Sequence, residues 1–151
     1  EYQHDMVRAG IALYGGCMPE LGGALQYAQT LVTRPIRIET IQPGDTVGYG
    51  RTFRAERETV VMTLPIGYGD GYPRGCEGAE VLVNGRRAPV VGRVCMDQLF
   101  VDVTDCGEVR PGDTVVLIGP GLPCEELAGN CGTISNEILS RLGKRLPRVW
   151  Q

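Results

Sequence analysis

The sequence predicts a mainly β fold: an antiparallel β-barrel with one or two short helices. Three observations predict it. The 151 residues include 22 glycines and 10 prolines, which suits many short strands joined by tight turns. From residue 24 onward, short apolar runs alternate with polar residues, and helical spacing is clear only near the C-terminus. Asn84-Gly85 lies between two such runs and is a strong signal for a β-hairpin.

The chain divides into three predicted parts. Residues 6–15 alternate small and apolar side chains and stop at a pair of glycines, which is typical of the end of an element. We therefore expect residues 1–15 to be the tail of a preceding domain. Residues 16–23 read as a linker, and residues 24–151 as the β-domain.

The β-domain contains a series of predicted strands. The sequence PGDTV occurs twice, at 43–47 and 111–115, each time as a turn that starts a strand. A helix is predicted from Thr133, as N-cap, to Gly143, as the stop. The strands are expected at 24–41 with a break at Pro35, and at 59–66, 80–83, 87–91, 99–104, 114–118 and, closing the fold, 146–150.

Composition argues against several classes of function. A net charge of −3 gives no electrostatic case for nucleic acid or an anionic membrane. No apolar run reaches the length of a membrane span. The six cysteines form no CxxC pair and the only histidine is His4, so a zinc site is not expected. Scattered thiols of this kind suit a reducing compartment.

The segment 64–74, LPIGYGDGYPR, is a candidate functional loop. Its glycines and prolines limit regular strand pairing beyond the apolar run that precedes it. It keeps Tyr68, Asp70, Tyr72 and Arg74, and loops held by a rigid sheet often carry function. The alternative is a wide turn whose tyrosines cover one end of the barrel. Asp70 is predicted to cap the turn.

Five ordered segments resemble the C-terminal domain of the alanine racemase family, which depends on pyridoxal phosphate (PLP). They are MVRAGIALYG (6–15), VGYGRTF (47–53), LPIGYGDGYPR (64–74), APVVGRVCMDQ (88–98) and TISNEILSRLGKRLPRVW (133–150). The resemblance implies an N-terminal TIM barrel, absent here, that holds the cofactor, and a homodimer whose active site is shared between subunits. The implied reaction interconverts L- and D-amino acids by two-base proton transfer at Cα, supplying D-alanine for peptidoglycan.

The resemblance also assigns roles to individual residues. Tyr49 matches the catalytic base, and Arg8 matches the arginine that meets the pyridine nitrogen of PLP. Gly10 and Ile11 match backbone donors to its phosphate. The only lysine, Lys144, is expected to be a solvated charge. The Schiff-base lysine should therefore lie outside this chain, which alone is expected to be inactive.

Other matched positions concern the substrate. Met96 and Asp97 match the substrate-binding pair, with the Met96 N–H meeting the carboxylate. Tyr68 matches the inner gate of a substrate channel, and Arg74, Arg93 and Ile134 belong to the same gate. An arginine-lined channel attracts carboxylates.

Asn136 departs from the family pattern. It stands where alanine racemases usually carry a tyrosine near the cofactor phosphate. An asparagine leaves more room and can hydrogen-bond a substrate hydroxyl, so we expect turnover of serine as well as alanine. The same replacement is similar to serine/alanine racemases of vancomycin-resistance operons, which implies a possible upstream membrane anchor. The protein is expected in the cytoplasm, or as the cytoplasmic domain of an anchored protein.

Two other hypotheses remain open from the sequence. One is an SH3-like binding module in which exposed Tyr68, Tyr72 and Trp150 bind a peptide or a cell-wall component. The other is a regulatory homologue without activity, since no cofactor lysine is present.

Overall fold

The computed structural model describes residues 5–15, 25–76 and 78–150. In these ranges the chain forms nine β-strands and two α-helices. The elements are β1 (Leu31–Thr33), β2 (Arg37–Ile41), β3 (Thr46–Val47), β4 (Phe53–Arg54), β5 (Thr59–Leu64), β6 (Glu80–Val83), β7 (Arg86–Val91), β8 (Leu99–Asp102), β9 (Val115–Ile118), α1 (Cys124–Asn130) and α2 (Ser135–Arg141).

Seven of these strands form one antiparallel sheet that must curl. Their order is β1-β9-β6-β7-β8-β5-β2, with β3 and β4 paired separately. Only Arg34, Pro35 and Ile36 connect the two edge strands, β1 and β2. In a flat sheet these edges would lie about 29 Å apart, but the connection reaches at most about 15 Å. The sheet is therefore an open barrel, and the predicted antiparallel β architecture is confirmed.

The core fills the inside of this curled sheet. Strand β5 pairs with β2 on one side and β8 on the other, and most of its residues are buried. Ile138 of α2 and Leu127 of α1 belong to the same core cluster. Burying each such side chain contributes about 1.5–3 kcal/mol. The largest fully buried apolar side chains in the sheet include Met62, Leu64, Val81, Val83, Leu99, Val101, Leu117 and Ile118.

The predicted hairpin is confirmed in detail. Strands β6 and β7 pair across Asn84-Gly85, whose φ angles are 50° and 77°. Two positive φ angles define a type I′ turn. The Asn84 amide donates to the Asp113 carboxylate at 3.0 Å. That bond is the main cause of the lowered pKa of Asp113.

Both PGDTV turns use their aspartate in the same way. The Asp45 carboxylate accepts from the Gln42 N–H at 2.8 Å, and the Asp113 carboxylate accepts from the Arg110 N–H at 2.9 Å. The Asp45 N–H also donates to the Gln42 carbonyl, and the Asp113 N–H donates to the Arg110 carbonyl. The predicted turn chemistry is confirmed, and it places a strand directly after each turn.

The C-terminal helix begins later than predicted. Ile134 still has an extended backbone, with φ −119° and ψ 156°, and α2 starts at Ser135. The Thr133 hydroxyl hydrogen-bonds the Glu137 carboxylate instead of capping a backbone N–H. The assignment of Thr133 as N-cap is therefore wrong, because its side chain has a nearer partner one turn into the helix.

The closing strand expected at 146–150 is also wrong. The Arg148 guanidinium donates to the carbonyl oxygens of Leu142, Gly143 and Leu146. These bonds fold the tail back onto the end of α2, so its backbone does not pair with the sheet.

Residues 6–15, which belong to the segment expected to be the tail of a preceding domain, form no strand in this chain. Gly10–Tyr14 is a 3₁₀ helix that ends at Gly15 with φ 74°. A strand needs a neighbour to pair with, and the Tyr14 carbonyl instead accepts one bond from the Ala28 N–H. The predicted linker, 16–23, and Cys17 lie outside the described residues. No helix in the described ranges is both long and apolar enough to cross a membrane.

Candidate functional site

Two loops pack backbone against backbone beneath the exposed Tyr68. The Tyr68 N–H donates to the Cys95 carbonyl at 3.0 Å, and the Gly69 N–H donates to the Met96 carbonyl at 2.8 Å. A Cβ built on Gly67 would stand 2.2 Å from the Cys95 oxygen. Glycine is required at 67 by this close approach, since its φ of −152° suits any residue. The 64–74 loop is thus fixed to the β7–β8 connection.

Asp70 holds the short 3₁₀ turn that carries Tyr68. One carboxylate oxygen accepts from the Gly67 N–H at 3.0 Å, and the other lies 3.2 Å from Nε of Arg145. The residue is only 6% exposed. The prediction that Asp70 caps the turn is confirmed.

Tyr49 stands in the open between two glycines. Gly48 and Gly50 both have φ 75°. Tyr49 itself is 72% exposed. A Cβ on Gly48 would lie 3.4 Å from the Arg93 backbone nitrogen, and one on Gly50 would lie 3.2 Å from the Arg93 guanidinium. The glycines therefore let Arg93 pack directly against the turn that presents the tyrosine.

The β7–β8 connection joins these features into one surface. Its Arg93 lies against the Tyr49 turn, and its Met96 carbonyl holds the Tyr68 turn. Met96 and Asp97 are exposed between them. Among the described residues the Met96 N–H has no hydrogen-bond acceptor. The structure brings together five of the residues predicted for the site.

A second group lines a depression beside α2. It has a volume of about 290 Å³ and is lined by Arg74 together with Pro73, Gly75, Cys131, Gly132, Thr133, Glu137 and Arg141. Ile134 and Asn136 are exposed at the start of the same helix. The Gly143 N–H donates to the Asp70 carbonyl at 2.8 Å, which connects the C-terminal end of α2 to the Tyr68 turn.

A wider, open groove of about 720 Å³ lies along β4 and β5. It begins at Thr52, directly after the Tyr49 turn, and includes none of the predicted site residues. Neither depression encloses Tyr49 or Met96. The predicted chemistry therefore lies on an open surface of this chain, not in a closed cavity of its own.

The predicted cofactor residues Arg8, Gly10 and Ile11 make no described hydrogen bond to this surface. All three are solvent-accessible, and no hydrogen bond in the described ranges connects them to the Tyr49 turn. Gly10 and Ile11 begin the 3₁₀ helix, where the first N–H groups have no acceptor within the helix. Two backbone donors of this kind fit the phosphate of a cofactor, and the neighbouring arginine fits its aromatic ring.

The structure corrects one member of the candidate loop. Tyr72 is fully buried, and its hydroxyl has no hydrogen-bond partner among the residues that the structure describes. Burial raises the pKa of this phenol well above its usual range. The prediction that Tyr72 is exposed for binding is wrong, which removes one of the three aromatic contacts of the SH3-like hypothesis. Tyr68 and Trp150 are exposed.

Sequence reasoning missed Arg145. Its guanidinium meets both Asp97, at 2.6 Å, and Asp70. The hydrogen bond to Asp97 is the main cause of its raised pKa. No local pattern marks this arginine, because its two carboxylate partners lie far away in the chain.

Comparison with known proteins identifies the relatives of this chain. The family model described as "Alanine racemase, C-terminal domain" matches residues 28–150. The alanine racemase of Clostridium kluyveri is 43% identical over 155 residues, covering 97% of this chain and 40% of the relative. The biosynthetic alanine racemase of Pseudomonas aeruginosa is 45% identical over 151 residues, covering 97% and 42%.

Solved structures agree. The crystal structure of the Pseudomonas aeruginosa biosynthetic enzyme superimposes with a TM-score of 0.87 at 44% identity, covering 93% of this chain and 41% of that one. The Bacillus anthracis alanine racemase with bound L-Ala-P gives 0.83 at 38% identity, covering 92% and 38%. The chain spans about two fifths of the length of the relatives it matches.

Proposed function

This chain belongs to the alanine racemase C-terminal domain family, and on that premise we propose that it completes the active site of a PLP-dependent amino-acid racemase. The carrying observation is the exposed surface that contains Tyr49, Arg93 and Met96. It offers a phenol, a cation that packs against the turn carrying that phenol, and a backbone N–H that has no acceptor among the described residues. The phenol would transfer a proton at Cα of a small amino acid, and the cation and the N–H donor would bind its carboxylate.

Tyr49 is the proposed proton-transfer group. A free phenol has a pKa of about 10, so acting as a base near neutral pH requires cations close to the phenolate. Arg93 packs against the Tyr49 turn, and Arg51 belongs to it. The Tyr49 phenolate would take the Cα proton on one face of the substrate, or the protonated phenol would return it. The bound PLP would withdraw electrons from Cα and so acidify that proton.

The substrate is held and selected by neighbouring groups. The unpaired Met96 N–H would donate to the substrate carboxylate, with Asp97 beside it. Tyr68, Arg74, Arg93 and Ile134 would form the gate. Their exposure supports this role, and the arginines would attract a carboxylate.

The cofactor would be held by Arg8, Gly10 and Ile11, with Asn136 near its phosphate. Lys144, the only lysine, is exposed in a turn after α2. A Schiff-base lysine needs desolvation to lower its pKa, so we place that lysine outside these 151 residues. The open site supports the same conclusion: another surface, from the TIM barrel of a partner subunit in a homodimer, would cover Tyr49.

The finer proposals concern substrate and biology. Asn136 is exposed in the first turn of α2. Its amide would accept a hydrogen bond from the hydroxyl of a bound serine, so serine is proposed as a substrate beside alanine. A link to vancomycin resistance and an upstream membrane anchor rest on the same residue. Supply of D-alanine for peptidoglycan, and a cytoplasmic site of action, follow from the proposed reaction.

Co-expression with an alanine racemase TIM barrel tests the proposal. The chain should restore PLP absorbance characteristic of a protein-bound cofactor and interconversion of the alanine enantiomers. A barrel without this chain is the control. A stable complex that binds PLP but leaves both enantiomers unchanged would contradict the proposed activity.

A further inference from the structure

Arg145 lies between the two loops that carry Tyr68 and Met96. Its Nε is 3.2 Å from one oxygen of Asp70, and a terminal nitrogen is 2.6 Å from Asp97. A Cβ on Gly69 would stand 2.5 Å from the same guanidinium. The arginine therefore packs flat against the Tyr68 turn while reaching the neighbouring loop.

The two carboxylates place different demands on this cation. The Asp70 side chain is 8% exposed, and a buried carboxylate needs a partner for each oxygen. One of its oxygens is used by the Gly67 N–H, which leaves the other to Arg145. The buried pair fixes the guanidinium, and the fixed guanidinium then orients Asp97.

The bond to Asp97 does little for stability by itself. The Asp97 side chain is 59% exposed, and exposed ion pairs contribute about 0–1 kcal/mol. The bond matters for the orientation of the loop, because Asp97 directly follows Met96. The Met96 N–H has no acceptor among the described residues. The Met96 N–H belongs to the Cys95–Met96 peptide, whose carbonyl accepts from the Tyr68 N–H. Arg145 therefore acts on this donor from both sides, through Asp97 and through the Tyr68 turn that Asp70 holds.

We propose that Arg145 is a positioning residue, which uses the buried Asp70 as an anchor to hold Asp97 and the Met96 N–H in the orientation that receives the substrate carboxylate. This inference rests on the proposed function. Arginine suits the task because its planar fork serves two carboxylates at once. Lysine would meet only one of them, since its ammonium is a single point charge.

The test uses the full-length enzyme with R145K, R145Q and the control K144Q. Lys144 is the adjacent exposed cation and has no ion pair in the described ranges, so K144Q removes the same charge without touching either carboxylate. We expect R145K to keep the melting temperature, because its ammonium still neutralises Asp70. Both Arg145 variants should raise KM for alanine about tenfold or more, with a smaller change in kcat. K144Q should leave both constants unchanged.

Hydrogen exchange supplies a readout that needs no activity. In R145Q the amides of Tyr68 and Gly69, which bond the neighbouring loop, should exchange at least about tenfold faster, and the amide of Met62 in β5 should not change. The proposal is overturned if R145Q matches K144Q in both KM and exchange, or if R145K restores wild-type KM. If the wild-type enzyme shows no racemase activity, the proposed function fails, and unchanged exchange at Tyr68 and Gly69 would then overturn the anchoring role separately.

Discussion

Replacing Gly67 with alanine tests how tightly the gate loop is packed. The added Cβ would lie 2.2 Å from the Cys95 oxygen and 2.5 Å from the Met96 oxygen. A normal carbon–oxygen contact is about 3.3 Å or more, so the two loops must separate by about 1 Å. The backbone angle is no obstacle, because φ at this position is −152°. Any loss of stability therefore comes from the clash.

The magnitude follows from what the separation breaks. It stretches the bonds from the Tyr68 and Gly69 N–H groups, at 3.0 and 2.8 Å, each of which contributes about 0.5–1.5 kcal/mol net. Forcing extra volume into a packed contact costs about 1–3 kcal/mol. Because the two bonds are lengthened and not lost, they add only about 1 kcal/mol to this cost, and we expect Gly67→Ala to lose about 2–4 kcal/mol of unfolding free energy in total.

Urea unfolding followed by circular dichroism measures this loss. With a slope of about 2 kcal/mol/M, the midpoint should fall by about 1–2 M. Gly75→Ala is the matched control, because a Cβ at that position has nothing within 4 Å. Equal midpoints for the two variants would refute the close packing of the loops.

Three further predictions concern buried groups and substrate choice. Tyr72→Phe should leave stability unchanged or raise it by up to about 1 kcal/mol, because it removes a buried hydroxyl without a partner. Burial raises the pKa of Cys76 to about 12, above its unfolded value, so its contribution to stability is complete below the unfolded pKa and is lost as pH rises toward the folded one. One pH unit above the unfolded pKa this loss should reach about 1.4 kcal/mol, and Cys76→Val should abolish it in urea unfolding at pH 8 and 10. Asn136→Tyr in the full-length enzyme should depress serine turnover much more than alanine turnover in steady-state kinetics.

Each of these has a contradicting result. A loss above 1 kcal/mol in Tyr72→Phe, measured by urea unfolding, would mean that the hydroxyl has a partner. The Cys76 thiol would be that hydrogen-bond partner, although it already donates to the Pro73 carbonyl at 3.0 Å. An unchanged pH slope in Cys76→Val would place the pH dependence on other thiols. Equal losses on serine and alanine would remove the case for serine.

Local signals in the sequence were sufficient for the turns and most strands. Asn84-Gly85 and the two PGDTV segments specify their backbone by residue type alone, and the structure agrees at each. Helix α1 had a usable signal, since Pro123 precedes it and Glu125 and Glu126 lie in its first turn. That signal was not used, and no helix was assigned to this segment from the sequence.

Tertiary contacts decided what the sequence could not. Tyr72 follows a glycine-rich turn and looks exposed, yet the fold turns it into the core. The strand expected at 146–150 is lost to hydrogen bonds from Arg148, which depend on where α2 ends. Arg145 finds its partners only after two distant loops have met. Family resemblance, not spacing, was needed to group Tyr49 with Met96.

The central claim is that Tyr49 transfers a proton on one face of the substrate. The most direct test is Tyr49→Phe in the full-length enzyme, incubated with each alanine enantiomer in D₂O, with Tyr27→Phe as the control for an exposed tyrosine. We predict that racemisation falls at least about 100-fold, while one enantiomer still exchanges its Cα proton for deuterium and keeps its configuration. Racemisation of both enantiomers at the wild-type rate would contradict the claim.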